Sequence, residues 1–306
     1  MNNVGIIVTA RVKSSRIHEK VLHPITDKRA IEILLEKCRN DKYPVYLAIP
    51  EAKEDDILLE IGEKMGVDVY RGEDRSPLHR LSGCAKANNL DVVVRVTADD
   101  ILIDRNLLMN QIAWHVKGGN DYTYMRLCPE GVAAEVINAN VLHEVADEYS
   151  GESIEFVSYY LKRNGYQVKE FYPPREFQYS FRLTMDYPED VLLLQVLFRM
   201  LPEPFSTLDV IHLLRKNKFL MRINRLPLVT VYTCNYNQSK YISKCIDSVL
   251  GAGFSDYEYI IIDDHSTDGS ANIILEKLSL LDTETMKKVR VYFKRKMFPG
   301  QIRKKS

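Results

Sequence analysis

The stretch Val4–Leu22, VGIIVTARVKSSRIHEKVL, decides how this chain is read. Its first six residues, Val4–Thr9, are an apolar, β-branched run of strand length. Such a run reads as a strand buried on both faces, as in a parallel sheet. Arg11, Lys13, Arg16 and Lys20 then fall within ten residues, interleaved with Ser14 and Ser15. Ligands of an open α/β sheet bind beyond the carboxyl ends of its strands. A loop at that edge offers backbone N–H groups, hydroxyls and cations together, which is what a triphosphate needs. Neither a Walker pattern nor GxGxxG follows the strand, so a P-loop ATPase or a dinucleotide fold is disfavoured. Composition alone leaves a solvated basic loop as the competing reading.

Outward from this stretch, strands and helices alternate. Helical spacing over Ala30–Cys38 is followed by a strand at Val45–Ile49, a helix at Lys53–Met65, a strand at Val67–Tyr70, a helix at Pro77–Ala87 and an almost all-valine strand at Val92–Val96. That order predicts a parallel sheet with helices on both faces. Beyond Asp121 the spacing predicts short strands at Tyr122–Arg126 and Val132–Ile137, helices at Asn140–Glu148 and Ile154–Asn164, a strand at Phe181–Thr184 and helices at Pro188–Met200 and Thr207–Arg215. At Leu226–Pro227 the alternation restarts, with strands at Val229–Thr233, Tyr257–Ile262 and near Val289 and helices over Lys240–Leu250 and Ser270–Leu281. The expected organisation is therefore a domain over residues 1–226 and a second unit over 227–306, ending in a patternless basic tail.

Two acidic segments sit where the basic loop is expected. Asp99 and Asp100 lie just past the valine strand, and Asp186 lies past Phe181–Thr184. Carboxylates brought together from two strand ends form an oxygen-ligand site suited to Mg²⁺. The alternative for each is to cap the helix that follows.

These residues carry a resemblance. The segment Ala10, Arg11, Ser14, Arg16, Lys20; the segment Thr97-Ala98-Asp99-Asp100-Ile101-Leu102-Ile103-Asp104; Glu130-Gly131 with Glu135-Val136; and Arg182-Leu183-Thr184 with Asp186, Glu189 and Asp190 occur in the order of the CMP-KDO and CMP-sialic acid synthetase family. The chain is most similar to the branch linked with spore-coat polysaccharide synthesis. The resemblance implies a three-layer α/β nucleotidyltransferase fold with a mostly parallel sheet. It also implies CTP and a sugar-like acceptor as substrates, and Mg²⁺ held by Asp99 and Asp186. Arg11, Arg16 and Lys20 take the catalytic role, with Ala10, Ser14 and Arg80 completing the nucleotide site. It implies a homodimer formed through residues 121–175, where Val132, Val136, Ile137, Phe156, Tyr159 and Tyr160 need a cover. The chain departs from the family at Ala98 (glycine), Ile101 (proline), His18-Glu19 (Pro-Gly) and Ile154-Glu155-Phe156 (an R-E-H segment).

The second unit, with VTVYTCNYN at Val229–Asn237 and YEYIIIDDHSTDG at Tyr257–Gly269, resembles the opening of family 2 glycosyltransferases. It implies a partial GT-A-like α/β unit in which Asn235, Asp263 and Asp264 match nucleotide-contacting positions. His265 stands where that family has glycine. No later D-x-D follows, so the unit is expected to be a truncated stub without sugar-transfer activity.

Bulk composition excludes some classes of partner. The 42 basic residues balance 42 acidic ones, which gives no reason to expect nucleic-acid or membrane-surface binding. No apolar run approaches the ~18 residues of a membrane span. The five cysteines form no CxxC pair, so free thiols and a cytoplasmic location are the expectation.

Overall fold

The computed structural model describes residues 2–14, 16–74, 76–149, 165–225 and 227–294. By contact density the chain divides into two compact units, Met1–Asn224 and Arg225–Ser306.

The first unit is built on a seven-stranded sheet. Its strands are β1 (Val4–Thr9), β2 (Val45–Pro50), β3 (Asp68–Gly72), β4 (Val92–Thr97), β5 (Tyr122–Met125), β6 (Glu135–Asn138) and β7 (Val168–Phe171), in the order β3-β2-β1-β4-β6-β5-β7. Only β6 runs antiparallel to its neighbours. Side chains alternate across the sheet, as period-2 geometry requires. Val4, Ile6 and Val8 of β1 and Val92, Val94 and Val96 of β4 join one core, while Ile7 and Val93 join the other. The first core is closed by α1 (Ala30–Cys38), α2 (Asp56–Met65), α4 (Arg105–Gly118), α6 (Pro188–Met200) and α7 (Thr207–Lys216), and the second by α3 (Pro77–Ala87) and α5 (Ala139–Glu148). The fold is thus the expected three-layer α/β arrangement.

Four sequence expectations need correction. Phe181–Thr184 is not a strand. It makes a single parallel bridge, Glu130 to Arg182, because its neighbour Glu130–Gly131 is a turn that offers one residue for pairing. Lys53–Asp55 is a separate 3₁₀ turn ahead of α2. Helix α4 and strand β7 were not anticipated. Buried Gln111 and His115 interrupt the apolar stripe of α4, and β7 is four residues of mixed exposure, VKEF. Finally, Val132, Val136 and Ile137 need no partner subunit to cover them. They are 1%, 0% and 0% exposed within the chain: Val136 and Ile137 lie on the interior strand β6, and Val132, just before it, joins the first core. Phe156, Tyr159, Tyr160, the helix at Ile154–Asn164 and the tail from residue 295 lie outside the described residues.

The second unit is a parallel three-stranded sheet of β8 (Val229–Asn235), β9 (Tyr257–Asp263) and β10 (Val289–Phe293), in the order β10-β9-β8. Helices α8 (Ser239–Leu250) and α9 (Ser270–Ser279) and the short α10 (Thr283–Met286) complete it. Its core is one-sided: Ile242, Ile246, Tyr257, Tyr259, Ile261, Ile274 and Val289. As expected, β8 lies at an edge.

Candidate active site

The carboxyl ends of β1 and β4, the loop after β1 and the first turn of α3 enclose a cleft of about 270 Å³. Thr9, Ala10, Arg11, Lys13, Ser14, Arg16, Lys20, Pro77, Arg80, Thr97, Ala98 and Asp99 line it. Every residue expected at the nucleotide site is therefore in one place. Parallel pairing of β1 with β4, which sets Thr9 opposite Thr97, brings the basic loop against Asp99.

At the centre, Lys20 Nζ lies 2.7 Å from Asp99 Oδ2 and 3.2 Å from Asp186 Oδ1. Those two oxygens are therefore within about 6 Å of each other. Arg16 also donates to Asp186 Oδ1 (2.5 Å), and Arg182 to its Oδ2 (3.1 Å). Burial alone would raise the Asp186 carboxyl, but Lys20, Arg16 and Arg182 outweigh it and hold it below the usual carboxylate range. Asp100 turns the other way, accepting from Thr97 Oγ1 at 2.6 Å. Burial, with Asp99 alongside, pushes it up to about 7. Neither Asp99 nor Asp186 caps a helix. Asp104 caps α4 through Leu107 N–H, and Asp190 closes the first turn of α6 through the N–H groups of Asp186 and Tyr187.

The loop carrying Asp186 is tied down at several points. Glu130 N–H donates to Phe181 O (2.9 Å), Leu183 N–H to Glu130 O (2.7 Å) and Met185 N–H to Asp99 O (3.1 Å). Arg182 spreads across both oxygens of Glu130 and of Asp190. Gly131, at φ +95°, lets the two backbones meet: a Cβ there would sit 2.4 Å from Thr184 N.

In the second unit, Asn235 and Asp263 are each 2% exposed and bonded to one another (2.6 Å), and Ser266 donates to Asp263 through both N–H and Oγ. Asp264 keeps a partly open face and lies 3.1 Å from Lys294 Nζ. Asp268, rather than Asp263 or Asp264, receives the first N–H of α9, that of Ser270.

Residues 5–203 match the family described as Cytidylyltransferase. The chain belongs to the cytidylyltransferase family. It is similar to the spore coat polysaccharide biosynthesis protein SpsF of Bacillus subtilis, 31% identical over 71% of this chain and 96% of that one. It is also similar to the 3-deoxy-manno-octulosonate cytidylyltransferase of Alcanivorax borkumensis, 28% identical over 49% of this chain and 60% of that one. Among solved structures, a cytidylyltransferase from Leptospira borgpetersenii superposes with a TM-score of 0.68 at 27% identity, covering 74% of this chain and 98% of that one. Residues 230–303 match Glycosyl transferase family 2. This cytidylyltransferase is thus a CTP-dependent nucleotidyltransferase with a glycosyltransferase-like segment. Among the described residues no helix is long and apolar enough to cross a membrane.

The cytidylyltransferase absorbs its departures from the family pattern in two ways. Ala98 is 5% exposed and has no positive φ, so glycine's freedom is not needed there. Glu19, in contrast, keeps a glycine-like backbone at φ 49°, ψ 42°. An L-residue in that left-handed region costs roughly 1–2 kcal/mol. His265 repeats this in the second unit, at φ 62°.

Sequence reasoning missed two groups, one beside the cytidylyltransferase cleft and one within it. Tyr187 lies under both Arg16 (5.3 Å) and Arg182 (5.4 Å). Arg95 lines the cleft from within β4, bonded through Nη1 to Glu135. Its signal was available: one arginine in the run VVVRVT.

Proposed function

We propose that the cleft transfers the cytidylyl group of CTP to a hydroxyl of a sugar acid, for surface polysaccharide synthesis. The observation that carries this reading is the bridge of Lys20 between Asp99 and Asp186, set among Arg11, Arg16 and Arg80. The acceptor oxygen attacks the α-phosphorus, the bond to the β-phosphate breaks, and pyrophosphate leaves as the hydroxyl proton is released. Arg11, Arg16 and Lys20 hold the phosphates and neutralise the charge that develops. Each such preorganised cation is worth several kcal/mol in a water-poor site. Ala10 and Ser14 shape the loop, and Arg80 bounds the nucleotide end.

The donor set fits a hard divalent cation. Two carboxylates face one point, and among the described residues no cluster of three or more metal-binding side chains exists. Mg²⁺ is commonly held by one or two carboxylates plus substrate phosphates. Asp99 and Asp186 would hold it, and it would supply charge neutralisation at the phosphate oxygens.

A sugar acid is supported by the name of the A. borkumensis relative, and a polysaccharide role by that of SpsF. Within the second unit, Asp264 at the open end of β9 is our candidate for weak nucleotide contact, with Asn235 and Asp263 holding its turn; sugar transfer is not expected of it. We also propose a cytoplasmic enzyme that forms a homodimer through residues 121–175, where Leu127 and Tyr172 are exposed and β7 ends the sheet.

The test is pyrophosphate release from each of the four NTPs against a panel of sugar acids and polyol phosphates. CTP with a sugar acid is the expected pair. Release only with another nucleotide, or only with polyol phosphates, overturns the reading.

A further inference from the structure

Two arginines line the cleft with part of their donor set unused. Arg80 is 2% exposed; its Nη1 donates to Glu73 O at 2.7 Å, and its Nε has no partner. Arg95 has a side chain 16% exposed; its Nη1 donates to Glu135 Oε2, and its Nε likewise has no partner. A guanidinium offers five donors in a planar fork. With Nη1 taken, the Nε–Nη2 edge remains, and that edge matches the two oxygens of a carboxylate or phosphate. A buried donor left without a partner is unfavourable, and an arriving anion removes that penalty.

The two arginines come from different elements on the same face of the sheet, the face that α3 covers. Arg80 comes from α3, which packs against β1, β2 and β3, on the side of the phosphate loop. Arg95 is on β4, whose other neighbour is β6, and its partner Glu135 belongs to β6. Along β4 it precedes Thr97 by two residues, so it shares Thr97's face and lies about 7 Å deeper. Glu135 cannot itself turn to a ligand, because Tyr122 Oη–H and Arg95 occupy its two oxygens. Arg95 is thus a positively charged, positioned group in the same cleft as Lys20, held from the β6 side of β4.

We propose that Arg95 is the acceptor-specificity residue: its Nε–Nη2 edge receives the anionic group of the acceptor, orienting the attacking hydroxyl toward the α-phosphorus. The proposal rests on the cytidylyl-transfer reading above. It adds that the acceptor is chosen by its negative charge, and that this choice is separate from CTP binding.

The test compares the wild-type 306-residue chain with Arg95→Gln and with the double variant Arg95→Gln/Glu135→Gln. The double variant removes the carboxylate that the single change would leave unpaired, so a folded protein is available even if the single variant is not. CTP affinity is measured by equilibrium titration. Pyrophosphate release is measured with 3-deoxy-manno-octulosonate and with its methyl ester. The expected result is a wild type that prefers the acid to the ester by tenfold or more. In both variants CTP affinity stays within about twofold, the KM for the acid rises by at least tenfold, and the acid–ester preference disappears. An unchanged KM for the acid, or an equal loss of CTP affinity, overturns the assignment of Arg95 while leaving cytidylyl transfer intact. A wild type that uses the ester as well as the acid also overturns it. A wild type that releases pyrophosphate with no acid in the panel brings down the functional reading, and the proposal with it.

Discussion

Asp186 shows how much a single side chain depends on its company. Three cations surround it, so the carboxylate is satisfied before any substrate binds. Removing it leaves Arg16, Lys20 and Arg182 repelling one another. We expect Asp186→Ala and Asp99→Ala each to lower turnover by about a hundredfold or more, with circular dichroism showing a folded chain. Retained activity in either would remove it from the chemistry. Glu19 makes the opposite case. Its left-handed backbone is a standing cost, and its carboxylate sits on the loop we propose to hold phosphates. Glu19→Gly is expected to stabilise the fold by about 1 kcal/mol, less whatever glycine gains in the unfolded chain. The same change should lower the KM for CTP. Urea unfolding and steady-state kinetics check the two halves, and a destabilised variant would show that the left-handed strain has been misread.

At the scale of elements, one joint positions the loop of Asp186 and another ties α4 to the sheet. The first is Gly131 against Leu183–Thr184. With φ +95° and backbone atoms inside 3 Å of any Cβ, Gly131→Ala is expected to cost about 2–4 kcal/mol. It should also displace Asp186, so that activity falls further than stability explains. A variant with wild-type midpoint and rate would contradict this. The second joint is His115 of α4, 1% exposed, between Thr123 Oγ1 (2.7 Å) and Asn138 Oδ1 (3.1 Å). Burial pulls its pKa below 6.5. The folded state therefore holds the ring neutral while the unfolded chain binds the proton more readily. This contribution to stability is complete above about pH 6.5 and is lost as pH falls through the lower, folded value. His115→Gln should flatten the stability–pH curve in that window, and an unchanged slope would show that another group sets it.

For the whole molecule, the question is whether the two units work alone. Asn224 Nδ2 donates to Arg182 O (2.8 Å) and to Asp190 Oδ1 (2.9 Å). It therefore belongs with the site, and a separating cut has to follow it. A chain ending at Asn224 is expected to keep undiminished pyrophosphate release. A large loss would show that residues 225–306 support the first unit. The second unit buries a one-sided core of seven residues, and the 306-residue chain is expected to show no glycosyl transfer from sugar nucleotides. Detectable transfer would mean that the unit is more complete than its motifs suggest.

Much of this was legible in the primary structure. Val4–Thr9 and Val92–Val96 announce buried parallel strands because short runs dominated by valine and isoleucine have no better place than the middle of a covered sheet. The basic loop, the Asp99 segment and the Arg182–Asp190 segment could be located for the same local reason. Other features are properties of the assembled sheet. Local periodicity cannot say that Asp99 faces the cleft while Asp100 turns inward, or that Gly131 is needed for a backbone crossing 52 residues away in sequence. Nor can it say that Arg95 lines the cleft rather than the core. Lys20 meets carboxylates 79 and 166 residues distant. Those meetings are set by strand order and register, which a chain acquires only when its two cores close on opposite faces of one sheet.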